Sequence, residues 1–174
     1  FHLTLASAIY AAILWTAQQM KEKTSQEVSV RIRIGAVAIA WLLLLQIYLG
    51  ALVAGLDAGL IYNTWPEIDG TIVPAQDRLW FLQPAWHNLF ENTLTVQFNH
   101  RMVAYTIWVL AILHAFDAWR TRHAAWGAAA LAGAVTLQAG LGVATLLYQA
   151  PLLLALAHQV LAILVLTLAV VHAE

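Results

Sequence analysis

Ile34-Gly35-Ala36-Val37-Ala38-Ile39-Ala40-Trp41-Leu42-Leu43-Leu44-Leu45-Gln46-Ile47-Tyr48-Leu49-Gly50-Ala51-Leu52-Val53-Ala54-Gly55-Leu56 carries no charge and one strongly polar side chain, Gln46. About 20 apolar residues make an α-helix long enough to cross a bilayer core of about 30 Å. Backbone groups in lipid must be bonded within the segment, so the run reads as a helix. Four more stretches have the same character: 1–20, 93–116, 124–147 and 151–172. The alternating pattern of a membrane barrel is absent. The fold class expected is therefore all-α, a polytopic transmembrane bundle of five helices.

Composition agrees. Of 174 residues, 62% are hydrophobic and 10% charged, against about 25% charged in a soluble domain; the mean hydropathy is +0.75. Such sparse charge leaves much of the surface to face lipid. A net charge of -1 gives no electrostatic case for nucleic acid. The absence of cysteine excludes disulfides, thiolate metal sites and cysteine nucleophiles. The chain opens in an apolar run, Phe1-His2-Leu3-Thr4-Leu5, with no initiator Met or charged leader, so it is read as part of a longer protein.

Lys and Arg set the orientation. Lys21, Lys23, Arg31 and Arg33 join the first two helices, and Arg120 and Arg122 join the third and fourth. Both connections are expected inside. The long 57–92 connection carries Asp57, Glu67, Asp69, Asp77 and Glu91 against Arg78, and is expected outside. Its Trp65-Pro66, Trp80-Phe81 and Pro84-Ala85-Trp86 suit either an interfacial anchor or a lid over an outer site.

A repeat is visible. Leu45-Gln46-Ile47-Tyr48-Leu49-Gly50 matches Leu137-Gln138-Ala139-Gly140-Leu141-Gly142, and each is followed by a helix with a histidine near its outer end, His100 and His158. Each histidine has alanine four residues on, Ala104 and Ala162. The last four helices thus read as two repeated hairpins. Domain boundaries follow: 1–33 is one helix with an inner linker, and 34–174 is a four-helix bundle with the outer loop 57–92.

Ionisable groups inside a membrane are costly, so each calls for a functional hypothesis. Of seven histidines, His87 and His123 fall in loops, and His114 and His172 near inner helix ends, where snorkelling accounts for them. His100 and His158 each lie about 10 Å below the outer surface at ~1.5 Å per residue. Two imidazoles at one depth on paired helices suit the two axial positions of a haem iron, with Ala104 and Ala162 leaving room for the macrocycle. The plain alternative is a structural hydrogen bond to Gln46, Gln138 or a backbone carbonyl. Zinc fits less well, because it wants three or four ligands, and only His2 could join the layer. Arg101 is placed to pair with a haem propionate or to snorkel to headgroups. Gly50 with Ala54, and Gly140 with Ala144, have the spacing of close helix packing. No catalytic acid or base is assigned; Glu91 and Asp57 read as solvated loop carboxylates.

The stretches Gly50-Ala51-Leu52-Val53-Ala54-Gly55-Leu56-Asp57-Ala58-Gly59, Tyr62-Asn63-Thr64-Trp65-Pro66, Asp69-Gly70, Asn88-Leu89-Phe90-Glu91-Asn92, Val96-Gln97-Phe98-Asn99-His100-Arg101-Met102 and Ala157-His158-Gln159 resemble the haem A synthases of the mitochondrial and alphaproteobacterial type. The resemblance implies eight transmembrane helices in two halves, of which this chain is the C-terminal portion. It implies an oxidoreductase that turns a methyl group of haem O into the formyl group of haem A for terminal oxidases. Haem b would be the iron cofactor of this half, held by His100 and His158. His2 would match a histidine of the fourth family helix and ligate the substrate haem, so the metal ligands expected are His100, His158 and His2. The partner of His2 and a glutamate important in the family would lie upstream, so the chain alone should not turn over. The paired outer-loop cysteines of some members are absent. Implied partners are membrane lipid, haem O and haem A, haem O synthase, terminal oxidase assembly factors and a homo-oligomer; the location is a bacterial plasma (inner) or mitochondrial inner membrane. Two other readings stay open: a bis-histidine membrane cytochrome for electron transfer, and a haem-free assembly factor or transporter.

Overall fold

A computed structural model describes residues 2–20 and 29–173. Lys21 and Lys23, expected to mark an inner loop, lie outside the described residues. The apolar stretches form α1 (His2–Gln19), α2 (Val30–Gly55), α5 (Thr93–Thr121), α6 (Ala125–Leu147) and α7 (Leu152–His172). Between α2 and α5 lie α3 (Ala58–Ile61), α4 (Gln76–Leu79) and a 3-10 turn at Ala85–Leu89. There is no β-strand among the described residues, only an isolated bridge between Ile68 and Thr71. Four helices, α2, α5, α6 and α7, are long and apolar enough to cross a membrane. The 18 residues of α1 span about 27 Å at 1.5 Å per residue.

Two helices run further than their apolar cores. The second was expected from 34 and starts at Val30; the third was expected to end at 116 and continues to Thr121. The extensions meet: Arg31 in the first turn of α2 donates to Asp117 near the end of α5 at 2.7 Å. That pair is substantially exposed, so it fixes where the two helices meet more than it stabilises them. The turns on either side of α6 use left-handed backbone, Arg122 and Ala124 before it and Gln149 and Ala150 after it. Pro151 then opens α7, where its missing N–H removes no helical bond.

The four spans close into a ring. α2 packs on α5 and α7, and α6 packs on α5 and α7. The helices carrying the histidines, α5 and α7, are therefore one diagonal, and α2 and α6 the other. α1 lies against α2 and α7. Inside the ring, Ile39, Leu43, Ile47, Ile107, Ala111, Leu131, Val135, Val165, Leu166 and Ala169 form one buried cluster. Lipid-facing side chains such as Leu153 and Trp41 are exposed. Lipid is as apolar as leucine, so the bundle is held by close packing and polar contacts more than by expulsion of water.

Packing is uneven along the bundle axis. No residue from Thr136 to Leu164 is fully buried, whereas Leu131, Val135, Val165, Leu166, Ala169 and Val170 are. The outer halves of α6 and α7 are thus loosely filled, and the inner halves are tight.

Candidate haem-binding centre

His100 on α5 and His158 on α7 sit in that looser outer half, each against a glycine of its hairpin partner. A Cβ on Gly50 would lie 3.2 Å from His100 Cε1, and one on Gly142 would lie 2.8 Å from His158 Cε1. The glycines therefore exist where the imidazoles need room. Gly140 has nothing within 4 Å. The close-packing role expected of Gly140 thus belongs to Gly142, one place further round the helix.

One turn before each glycine stands a glutamine. Gln46 Nε2 donates to the His100 carbonyl at 3.1 Å and also lies 3.0 Å from His100 Nδ1. Gln138 Nε2 donates to the His158 carbonyl at 3.0 Å. In each hairpin the glutamine thus straps the backbone that carries the histidine, which merges the structural hydrogen bond and the ligand position into one arrangement. The rings are treated differently. Gln46 touches the His100 imidazole, while His158 Nδ1 is buried with no hydrogen-bond partner, as are the Oε1 atoms of both glutamines. The two imidazoles lie within electrostatic reach of each other across the ring.

An iron porphyrin asks for two imidazole nitrogens on opposite helices, space between them, and few competing ligands. The outer layer offers a buried unpartnered imidazole nitrogen, glycine-backed rings and loosely filled helices. Among the described residues no three His, Asp or Glu converge, while two imidazoles meet the axial demand of a haem iron. The residues fit the group.

Next along α5, Arg101 is buried and turned to the outer loop. Nη1 donates to the Glu67 carbonyl at 3.0 Å and Nη2 to the Tyr62 carbonyl at 3.1 Å, leaving Nε unpartnered. Gln97 Nε2 also donates to the Tyr62 carbonyl at 2.8 Å. The loop is thereby tied to the helix turn that bears His100. Further up, Asn92 caps α5, accepting from Leu94 and Thr95 N–H, and its amide donates to Arg78 O, Leu79 O and Asn88 Oδ1. Ile68, Leu79 and Leu94 form a small core under the loop, and Arg78 pairs with Asp69. Trp80, Phe81 and Trp86 stay exposed. The loop is a folded cap whose aromatic rim suits an interface.

His2 is exposed at the start of α1. His87 pairs with Glu91 at 3.3 Å, and His123 is exposed in the α5–α6 turn. The residues that sequence reasoning passed over are His114 and His172. Read as separate snorkelling side chains, they in fact face each other, Nε2 to Nε2 at 2.8 Å. The missed signal was spacing: His114 and His172 are as far apart in sequence as His100 and His158.

The ring of spanning helices with histidines on one diagonal defines a class, polytopic membrane proteins with paired imidazoles in a four-helix bundle. Within it the profile of the cytochrome oxidase assembly proteins, COX15-CtaA, matches residues 1–170, and the chain belongs to that family. It is 57% identical to the heme A synthase of Rhodopseudomonas palustris strain BisA53, over 99% of this chain and 48% of that protein. Identity is 56% to the heme A synthase of Bradyrhizobium diazoefficiens, over 99% of this chain and 49% of that protein. It is 59% to that of Rhodopseudomonas palustris strain BisB18, over 98% and 47%. The chain thus spans about half the length of the curated relatives it matches. No solved structure matches it.

Proposed function

We propose that this chain is the cofactor-binding half of a haem A synthase, a membrane oxidoreductase that converts a methyl group of haem O to the formyl group of haem A for terminal oxidases. The observation that carries the reading is the outer layer, two glycine-backed imidazoles on the ring diagonal with an unpartnered buried nitrogen. His100 and His158 would hold haem b, and the group would supply electron transfer. The protein's own part is to position it. Gln46 and Gln138 hold the two helix turns, Gly50 and Gly142 admit the rings, and Arg101 ties the outer cap while keeping Nε for a propionate.

Two finer readings go with this. The α2–α5 and α6–α7 hairpins are copies of one unit, supported by the correspondence of Gln46, Gly50 and His100 with Gln138, Gly142 and His158. α1 is a fifth span that belongs to the other half and carries His2 towards the substrate haem, whose second ligand the rest of the protein supplies. The bacterial plasma membrane, as in the bacteria of the relatives, is the proposed location. Haem O synthase and oxidase assembly factors are the partners that would hand haem on.

The test is to purify the chain in detergent with added haem, beside His100→Ala and His158→Ala, and to record oxidised and reduced spectra. A low-spin bis-imidazole spectrum lost in both variants is expected. A folded helical wild type that takes up no haem overturns the cofactor assignment. In the longer protein, conversion of haem O to haem A should fall at least 100-fold in either variant, roughly the loss that follows when a precisely placed group is removed.

A further inference from the structure

We infer that His114 and His172 form a second bis-imidazole site for an iron porphyrin, at the inner end of the same bundle. The inference takes the outer-pair reading as its template and goes beyond it.

The inner layer repeats the outer one, part for part. His114 follows His100 on α5, and His172 follows His158 on α7, by the same fourteen-residue step, about 21 Å along a helix at 1.5 Å per residue. Each inner imidazole is again backed by a glycine of α2 or α6. A Cβ on Gly35 would lie 2.8 Å from His114 Nδ1, and one on Gly127 would lie 2.6 Å from His172 Nδ1. Those glycines precede Gly50 and Gly142 by an equal step of fifteen. Helix packing alone would not need all four glycines to fall against histidine rings. Each layer is thus a ring of Gly, His, Gly, His around the four helices, with the apolar cluster between the layers.

The chemistry of the inner pair narrows its ligand. The two Nε2 atoms point at one another at 2.8 Å, and the rings meet at 77°. As they stand, one imidazole N–H donates to the other ring. Axial ligation of one metal needs the nitrogens about 4 Å apart, twice a metal–imidazole bond of ~2.0 Å, so the side chains must part by about 1 Å. No third ligand converges among the described residues; the nearby carboxylate of Asp117 is engaged by Arg31. A zinc ion would want more ligands, whereas two facing imidazoles complete a haem iron. A cleft of ≈ 690 Å³ opens beside the layer, lined by Trp119, Arg120, Arg122, Trp126 and Gly127. Gly127 borders both the cleft and His172. Two arginines there would receive propionates, and two tryptophans would flank the macrocycle.

The experiment measures haem per chain by pyridine haemochrome, with low-temperature electron paramagnetic resonance, in the detergent-purified chain loaded with haem. Four proteins are compared: wild type, His100→Ala/His158→Ala, His114→Ala/His172→Ala, and His172→Met. The wild type is expected to hold two low-spin haems and each double variant one. His172→Met is expected to keep both haems but convert one to a methionine–histidine signature, which a fold defect would not produce. One haem per chain in the wild type overturns the inference. If only the outer double variant removes that haem, the outer assignment survives alone. Retention of two haems by the inner double variant, or a bare copper or zinc ion in place of haem, overturns it equally.

Discussion

Glycine beside histidine is the feature that most sharply ties residue identity to chemistry. The four close approaches differ: a Cβ would come within 2.6 Å of a ring atom at Gly127, 2.8 Å at Gly35 and Gly142, and 3.2 Å at Gly50. Overpacking of a filled interior costs about 1–3 kcal/mol, so Gly127→Ala, Gly35→Ala and Gly142→Ala should each lower the thermal midpoint in detergent, and Gly50→Ala should lower it least. Gly140→Ala meets nothing within 4 Å and should raise stability by up to about 1 kcal/mol through helix propensity. A series in which Gly140→Ala hurts as much as Gly142→Ala would remove the rings as the reason for the glycines. At this scale the sequence was partly readable. His100 and His158 stood out because their depth was computable from the helix ends. His114 and His172 did not, because a histidine near an inner helix end has a cheap explanation taken singly. Only their pairing across the ring, which no local pattern states, turns two cheap explanations into one site. Arg101 was legible as a buried-edge cation, but not its loop carbonyls, since contacts between α5 and the cap depend on how the cap folds.

The helices themselves were legible from apolar run length, and what the runs missed lies at their polar ends. Arg31 and Asp117 extend α2 and α5 beyond the apolar cores because each is satisfied by the other, a partnership invisible to a hydropathy window. The outer cap was legible only as a long, aromatic-rich connection. Its organiser is Asn92, which caps α5 with its oxygen and holds three loop acceptors with its amide. Asn92→Ala should cost about 2–3 kcal/mol, adding the lost cap to the stranded buried carbonyls. Asn92→Asp retains the cap oxygen and loses the three donated bonds, so it should fall between alanine and wild type. Limited proteolysis of the 57–92 loop, scored against helix content, separates the two. Equal damage from Asp and Ala would mean that the amide, not the cap, does all the holding.

For the molecule as a whole, the charge pattern and the ring give the same orientation, with the folded cap on one side and the α5–α6 turn on the other. The natural absence of cysteine makes this directly checkable with Val73→Cys in the cap and His123→Cys in the turn, both at exposed positions. A membrane-impermeant maleimide should label Val73→Cys from outside intact cells and reach His123→Cys only after the membrane is opened. Labelling of both from one side would overturn the topology. Four spans were legible because each is long and uninterrupted. The order in which they pack was not, since it rests on α7 returning to α2, a contact between the ends of the bundle.

That return contact has a consequence for how the protein is made. The chain is synthesised from its N-terminus, and units fold in that order. α2 must wait for α5 across a cap that first has to be carried to the far side of the membrane, because the Asn92 contacts form only there. α5 and α6 then supply three sides of the ring, each already bearing its glycines or its histidines. The fourth side, with both remaining imidazoles, is the last stretch to leave the ribosome. Neither layer has its opposing nitrogen until that moment, so loading of the bundle is a step after synthesis, and a chain stopped before α7 is an open trough that grips nothing.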